Sequence, residues 1–514
     1  MSVGKKRIKV RTVAIIAAVL AAVILISGIC VYYFVPNVRK IKVTVHQKDA
    51  VKTVYGWGTS ACWWSQNVSD GATREKLAKL LYSQDGLALN IYRYNIGAGF
   101  DENERTSNPW RRAESFYVRN DETGEWEYDF TRDANAYAFL KESLSYGCID
   151  TVVLFANSPH YSFTVSGLGS GSFEENTCNL KKECYQDYVD YFLDITEHFL
   201  EDSIPVKFIS PINEPQWSWG GDWVGQEGCH YEPDEILELM RLFAESIEKR
   251  GLQVKLMAPE SGEIYGNTED YFNMLTGDEV VKRQLGSLAY HSYWSDNYVK
   301  LKESFGSYID EKLSDIRVDM TEWCELPCRH STDDYISAVI MARVIANDMQ
   351  LSHSSSWTSW VAVNQNGFND EGKNFSDGLI SANDDISEYS VSMRYNALAH
   401  FSKFIPTGSE LLRAEANMST LVSETDWAIS WLEHPKREMT NYQLSFAAFL
   451  TPEGKTVLVL INEGEPRTVR LAVKGKNMQV VTTDESHTLE TAYEGKRKGR
   501  IDLTANSITT IVFD

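Results

Sequence analysis

Positive charge is scarce in this chain. Fifty Lys and Arg face 72 Asp and Glu, a net charge of −22 over 514 residues. A surface this acidic repels phosphate backbones, so nucleic acid is excluded as a partner. Disordered, collagen-like and low-complexity classes are excluded as well, because 43% apolar and 24% charged residues make a globular balance. No Gly-rich phosphate loop follows the first apolar run, which leaves a nucleotide fold without its anchor. The eight Cys lack zinc spacing: Cys178-x5-Cys184 and Cys324-x3-Cys328 are not completed by a His pair. They read as buried thiols with room for one local disulfide, whose pairing stays open. No structural metal, no cofactor and no obligate protein partner are implied. Apart from strand–helix alternation there is no internal repeat.

What is present is unevenly spread. Lys5, Lys6, Arg7, Lys9 and Arg11 lie in residues 1–12 with no acid, so the rest of the chain carries −27. Residues 13–35 follow without a charge and are almost wholly apolar, long enough to span about 30 Å of hydrocarbon. The basic cluster predicts an N-terminus inside and the remainder outside. The expectation is a single-pass anchor in the cell membrane with an extracellular body. A cleaved signal peptide and secretion is the rival, weakened by the long apolar stretch and the poor cleavage site around Ser27-Gly28-Ile29-Cys30.

Eight apolar runs then recur, at residues 54–61, 87–96, 151–157, 206–212, 254–258, 287–293, 316–321 and 356–363. Helix-like stretches separate several of them, at 185–200, 233–250 and 335–350. Eight strand–helix repeats predict an α/β fold, a (β/α)8 TIM barrel, with a doubly wound sheet as the alternative. After about Leu411 the pattern becomes short strands and turns, a small β-sandwich. The alternating run 41–45 precedes the barrel and would complete that sandwich. The expected organisation is a basic tail at 1–12, an anchor at 13–35, a sandwich strand at 41–53, a catalytic barrel at 54–405 and a β-sandwich at 406–514.

In a barrel, chemistry sits at the C-terminal ends of the strands. The fourth run ends in Asn213-Glu214-Pro215 and the seventh in Thr321-Glu322-Trp323. Acids on nearly opposite strands can face each other across a substrate, as cleavage of a glycosidic bond requires. Either Glu alone could be a solvated surface acid; the pair at these two positions is the signal. Glu260 and Glu263 follow the fifth run without such a partner.

With these residues in hand, the chain resembles the retaining glycoside hydrolases of clan A, and its layout resembles glycoside hydrolase family 30. Gly56-Trp57-Gly58-Thr59-Ser60-Ala61-Cys62-Trp63-Trp64, Asn157-Ser158-Pro159, His291-Ser292-Tyr293 and residues 394–405 look like family motifs. The first of these and Gln226-Glu227-Gly228-Cys229-His230 most resemble the endo-β-1,6-galactanase-like branch. The resemblance implies a retaining hydrolase of β-linked poly- or oligosaccharide, β-1,6-galactan first. Other family activities are the alternative: β-1,6-glucanase, glucuronoxylanase, β-fucosidase, β-xylosidase or glucosylceramidase. A non-catalytic carbohydrate-binding surface protein is a further rival, which retention of both acids opposes. Glu214 would be the acid/base and Glu322 the nucleophile. Arg93 would keep Glu322 charged, Asn213 would meet the sugar 2-hydroxyl, and Tyr293, with His291 beside it, would bond the nucleophile. Trp360 would floor the sugar subsite, while Trp217, Trp219 and Trp223 would line the groove. His160-Tyr161 and Phe100 depart from the family pattern and leave the sugar less defined than the reaction.

Overall fold

The computed structural model describes residues 41–222, 225–264, 266–295, 298–325, 334–365, 378–417 and 444–514. Strands in chain order are β1 (Ile41–Thr53), β2 (Gly56–Ser60), β3 (Ile91–Asn95), β4 (Tyr117–Arg119), β5 (Trp126–Tyr128), β6 (Thr151–Phe155), β7 (Val206–Ser210), β8 (Lys255–Ser261), β9 (Leu285–His291), β10 (Val318–Glu322), β11 (Ser356–Asn364), β12 (Gly378–Ala382), β13 (Tyr389–Val391), β14 (Glu410–Ala416), β15 (Leu444–Leu450), β16 (Thr456–Asn462), β17 (Arg467–Ala472), β18 (Asn477–Thr483), β19 (Glu490–Lys496), β20 (Arg500–Leu503) and β21 (Ser507–Phe513). The helices are α1 (Gly71–Tyr82), α2 (Ala134–Ser145), α3 (Tyr185–Glu201), α4 (Pro233–Arg250), α5 (Thr268–Gly277), α6 (Glu279–Gln284), α7 (Val299–Lys312), α8 (Asp334–Gln350) and α9 (Met393–Ser402).

Strands β2, β3, β6, β7, β8, β9, β10 and β11 pair in parallel in that order, and β10 pairs with β11 while β11 pairs with β2, closing the barrel. They fall on the eight apolar runs. Side chains two residues apart on a strand share a face, and this sets a layered lumen. Ile91, Val153, Phe208, Met257 and Ala289 form one buried apolar cluster. Two residues further along their strands stand Arg93, Phe155, Ser210 and His291, all buried. An apolar plug therefore lies beneath a polar layer at the C-terminal mouth. The helices bury one stripe against the barrel, as α3 does with Tyr188, Val189, Phe192, Ile195 and Phe199. Helix α4 starts at Pro233 with a Glu232–Glu235 capping box and stops at Gly251, whose φ of +67° suits glycine.

A second sheet has nine strands, ordered β19-β18-β21-β16-β15-β14-β1-β17-β20, and β4 and β5 form a separate pair. Strand β1 lies between β14, antiparallel, and β17, parallel. Residues from both ends of this sheet, such as Val469 and Leu503 with Met478 and Phe513, share one apolar core, so the sheet folds over on itself. The middle strands alternate faces: Leu458 and Leu460 enter that core, whereas Val457, Val459 and Ile461 join the barrel core. Polar bonds pin the junction, with the His400 ring 2.8 Å from both Thr510 Oγ1 and Thr483 Oγ1.

The expected membrane helix is corrected here. Among the described residues no helix is long and apolar enough to cross a membrane. The longest, α4, carries charged residues along its outer face and buries only a stripe. A transmembrane helix is therefore no part of the described fold, and the membrane partnership and single-pass location drawn from it are withdrawn. Residues 1–12 and 13–35, with Cys30, lie outside the described residues, as do Trp223 and Cys328.

Candidate active site

The barrel mouth gathers Arg93, Glu214, His291, Tyr293 and Glu322 from the ends of β3, β7, β9 and β10. Arg93 Nη1 donates to Glu322 Oε2 at 2.9 Å, and Tyr293 OH donates to Glu322 Oε1 at 3.0 Å. His291 Nδ1 lies 2.9 Å from Glu214 Oε1 and 3.7 Å from Glu322 Oε1. One atom each from Glu214, His291 and Glu322 lie within 4.8 Å of one another. Glu214 and Glu322 are 7% and 4% exposed, so little water screens them.

Glu260, set aside from the sequence, is the hub beneath them. It is fully buried. Its carboxylate accepts from Ser210 Oγ at 2.8 Å and from Thr321 Oγ1, sits 3.1 Å from His291 Nε2, and lies 3.5 Å from Arg93 Nη2. Its backbone carbonyl accepts from Glu214 N–H at 2.9 Å. Both Glu214 and Glu260 adopt left-handed backbone, with φ of +46° and +59°. Such strain costs about 1–3 kcal/mol per residue and persists where the surroundings over-determine it. The sequence signal for Glu260 was only its place at a strand end; its partners are brought by barrel closure.

These contacts set the charges. Burial alone would lower the His291 pKa, but the Glu322 charge and hydrogen bonds to Glu214 and Glu260 push it up to about 10. Burial would raise Glu260, yet Arg93 and His291 hold it down to about 2. Burial pushes Glu322 above the ordinary carboxylate range, with His291 and Arg93 opposing and the Glu214 charge adding to it. Glu214, His291 and Glu322 also have the spacing of a cation site. However, both His291 ring nitrogens face carboxylates and the ring holds its second proton strongly, so a cation would have to displace that proton.

Around this centre the other expected residues divide. Asn213 is buried beside Glu214, and its Oδ1 has no protein partner. Trp360 is 6% exposed, with its ring edge-on to Trp63 at 5.4 Å between centroids. Trp217 stands over Gly262, where an added methyl carbon would fall 2.3 Å from Trp217 Nε1 and 3.0 Å from Glu214 Oε1. Trp219 Nε1 donates to the Glu214 carbonyl at 2.9 Å, which makes it a brace of the loop. His160 is buried among Tyr117, Trp126, Tyr161 and Tyr191, and burial lowers its pKa to about 3. Phe100 is 42% exposed. Glu227, quoted only as part of a motif, accepts from Ala98 N–H at 2.8 Å and from Trp63 Nε1 at 3.4 Å. Burial lifts its pKa to about 8.

Comparison with known proteins agrees with this architecture. Residues 40–300 match the model of O-Glycosyl hydrolase family 30, and residues 435–511 match the glycosyl hydrolase family 30 beta sandwich domain. An endo-beta-1,6-galactanase of Hypocrea rufa is 25% identical over 386 residues, covering 70% of this chain and 73% of that protein. A conserved exported protein from Bacteroides fragilis superimposes with a TM-score of 0.77 at 22% identity, over 92% of this chain and all of that one. The catalytic domain of GH30 xylanase C from Talaromyces cellulolyticus gives 0.68 at 17% identity, over 92% of this chain and 100% of that one. The closed barrel, the acids at its mouth and the matched models lead to one conclusion: this chain is a glycoside hydrolase belonging to family 30 of clan A.

Proposed function

We propose that this hydrolase cleaves a β-linked oligo- or polysaccharide with retention of configuration, through Glu322 as nucleophile and Glu214 as acid/base. The observation that carries the reading is the closeness of the two carboxyls, whose facing oxygens lie within 4.8 Å. Retaining enzymes hold their carboxyls about 5–5.5 Å apart, whereas inverting ones leave about 6.5–9.5 Å for a water.

Charge balance assigns the roles. Arg93 and His291 offer two positive charges in the buried cluster, and Glu260 and Glu322 answer them. Glu322 receives an N–H and an O–H, which favours its ionised form. Glu214, which bonds His291 and lies across from Glu322, would supply the proton to the leaving oxygen. Its Oε1 accepts from His291, leaving Oε2 to protonate the leaving oxygen. Glu322 then bonds to the anomeric carbon. Water attacks this glycosyl-enzyme after giving a proton to Glu214, and two displacements restore the configuration. Asn213 Oδ1 would accept from the sugar 2-hydroxyl, and Trp360 would stack beneath the ring.

The substrate is a β-glycoside of the range family 30 covers. Kinship with the Hypocrea rufa endo-beta-1,6-galactanase puts β-1,6-galactan first in the test series, and the likeness to a xylanase puts xylan beside it. The test follows the anomeric proton of the first product by NMR, on β-1,6-galactan, β-1,6-glucan and xylan. Retention is expected, with loss of at least about 10³-fold in kcat for Glu322→Gln and for Glu214→Gln on unactivated substrate. First formation of the inverted anomer, or wild-type rates in either variant, would sink the proposal.

A further inference from the structure

One fully buried ion pair lies away from the barrel mouth. Lys302 of α7 meets Asp348 of α8, and both side chains are sealed from solvent. Taking two charges out of water costs more than their attraction reliably returns, and apolar replacements of such pairs are often as stable. Stability alone therefore does not account for the pair, and its remaining contacts show what else it holds.

Those contacts converge on Ser292. Lys302 Nζ donates to Ser292 Oγ at 2.6 Å, and Ser292 Oγ donates to Asp348 Oδ1 at 2.8 Å, so the hydroxyl is engaged as acceptor and donor at once. The second Asp348 oxygen accepts from Nε1 of Trp357, in β11, at 3.0 Å. The Trp357 ring lies 6.3 Å from that of Trp323, the residue after Glu322. Ser292 is fully buried and follows directly on β9. Before it, His291 sits 2.9 Å from Glu214 and 3.1 Å from Glu260; after it, Tyr293 OH donates to Glu322 at 3.0 Å. The Ser292 N–H donates to the Glu322 carbonyl at 3.3 Å. Successive side chains of an extended chain leave on opposite sides. A tie from the helices to Ser292 therefore fixes the direction in which both its neighbours point into the mouth.

We propose that Ser292, held by Lys302 and Asp348, is a positioning residue of the active site, which sets the end of β9 so that His291 reaches Glu214 and Tyr293 reaches Glu322 in one geometry. The role rests on Glu322 as nucleophile and Glu214 as acid/base. Ser292, Lys302 and Asp348 are all sealed from the mouth and act through these neighbours. Ser292→Ala leaves Lys302 and Asp348 paired with each other, so it removes the link to the β9 end without stranding a buried charge. A shift of about 1 Å at the reacting groups can cost about a hundredfold in rate.

The experiment compares wild type, Ser292→Ala and Lys302→Met/Asp348→Leu as full chains, at a temperature where circular dichroism shows each to be folded. Turnover is read on whichever of β-1,6-galactan, β-1,6-glucan and xylan the wild type cleaves, and the titration of 13C-labelled His291 is read without substrate. In Ser292→Ala kcat should fall about 10–100-fold, with KM within about threefold of wild type. The acid limb of the kcat/KM profile should move to higher pH, because a Glu322 that loses the Tyr293 O–H is less readily ionised. The double variant should show the same low kcat although its unfolding midpoint lies near wild type, which separates positioning from stability. If Ser292→Ala fails to fold, the double variant decides. A folded Ser292→Ala with wild-type kcat and acid limb, or a double variant with wild-type kcat, overturns the proposal. If Glu322→Gln instead keeps wild-type turnover, the assignment of the two acids fails. The His291 titration then still tests the tie: a value shifted from wild type in Ser292→Ala is expected, and an unchanged one overturns it.

Discussion

Replacing Glu260 by Gln tests the charge network with almost no change in shape. Glu260 lies 3.1 Å from His291 Nε2 and 3.5 Å from Arg93 Nη2, and it has no opening to the mouth. At 3.1 Å and an effective dielectric constant of about 20, its attraction for His291 is about 5 kcal/mol. One pH unit is about 1.4 kcal/mol, so the ceiling on the shift is roughly four units. The glutamine carbonyl still accepts from Nε2–H, which leaves an expected fall of about one to three units. His291 would then lose its second proton well below the value of about 10 that the wild-type contacts hold. Above the new value only Arg93 balances Glu322. The expected outcome is a kcat on the alkaline side lowered by about 10–100-fold, with KM near wild type because Glu260 touches no substrate. Titration of 13C-labelled histidines, with His291 assigned through His291→Asn, reads the shift directly. A His291 titration and a pH–rate profile both matching wild type would refute the reasoning. Stability carries the same sign. A histidine raised from 6.5 to about 10 by folding contributes fully below about pH 6.5, and that contribution is lost as pH rises through about 10. In Glu260→Gln the alkaline loss should start earlier.

Three further outcomes follow from other contacts. Glu227 is lifted by burial to about 8, so folding favours its neutral form; that contribution is complete below about pH 4.5 and is lost as pH rises through about 8. Glu227→Gln should flatten the fall of Tm across this window, and an unchanged slope would count against the assignment. Lys302 pairs with Asp348 in full burial, and Asp348 also accepts from Trp357 Nε1 at 3.0 Å and from Ser292 Oγ at 2.8 Å. Lys302→Met should cost about 3–5 kcal/mol in urea unfolding, with Lys302→Met/Asp348→Leu recovering much of it. Gly262→Ala pushes a methyl carbon to 2.3 Å from Trp217 Nε1 and 3.0 Å from Glu214 Oε1. It should depress kcat at least tenfold while Tm moves by only a few degrees, and wild-type turnover would show the loop yields freely.

Much of the fold was legible because its signals are local. Burial on both faces makes a parallel barrel strand a continuous apolar run, and all eight were visible as such. Half-burial makes a sandwich strand alternate, as in residues 41–45 of β1, and Pro233-Asp234-Glu235 opens helix α4. The acids of Asn213-Glu214-Pro215 and Thr321-Glu322-Trp323 stood out because a strand end in a barrel has only one place to point. The membrane helix shows the limit of the same logic, because an apolar stretch reports length and hydropathy and nothing about what it meets.

By itself, then, the sequence determined which eight segments become the barrel strands, three of the helices that cover them, and which two acids stand at the mouth. Only the tertiary structure decided what those acids lean on. Glu260 meets His291 across 31 residues, and Arg93 meets Glu322 across 229. Periodicity records whether a residue is buried, because that depends on its own strand or helix. It holds no record of the partner, because the partner is chosen by how the barrel closes and where each loop is carried. The charges at this site belong to that second kind of information: a Glu held at about 2 and a His held at about 10 are properties of contacts between strands, not of either residue.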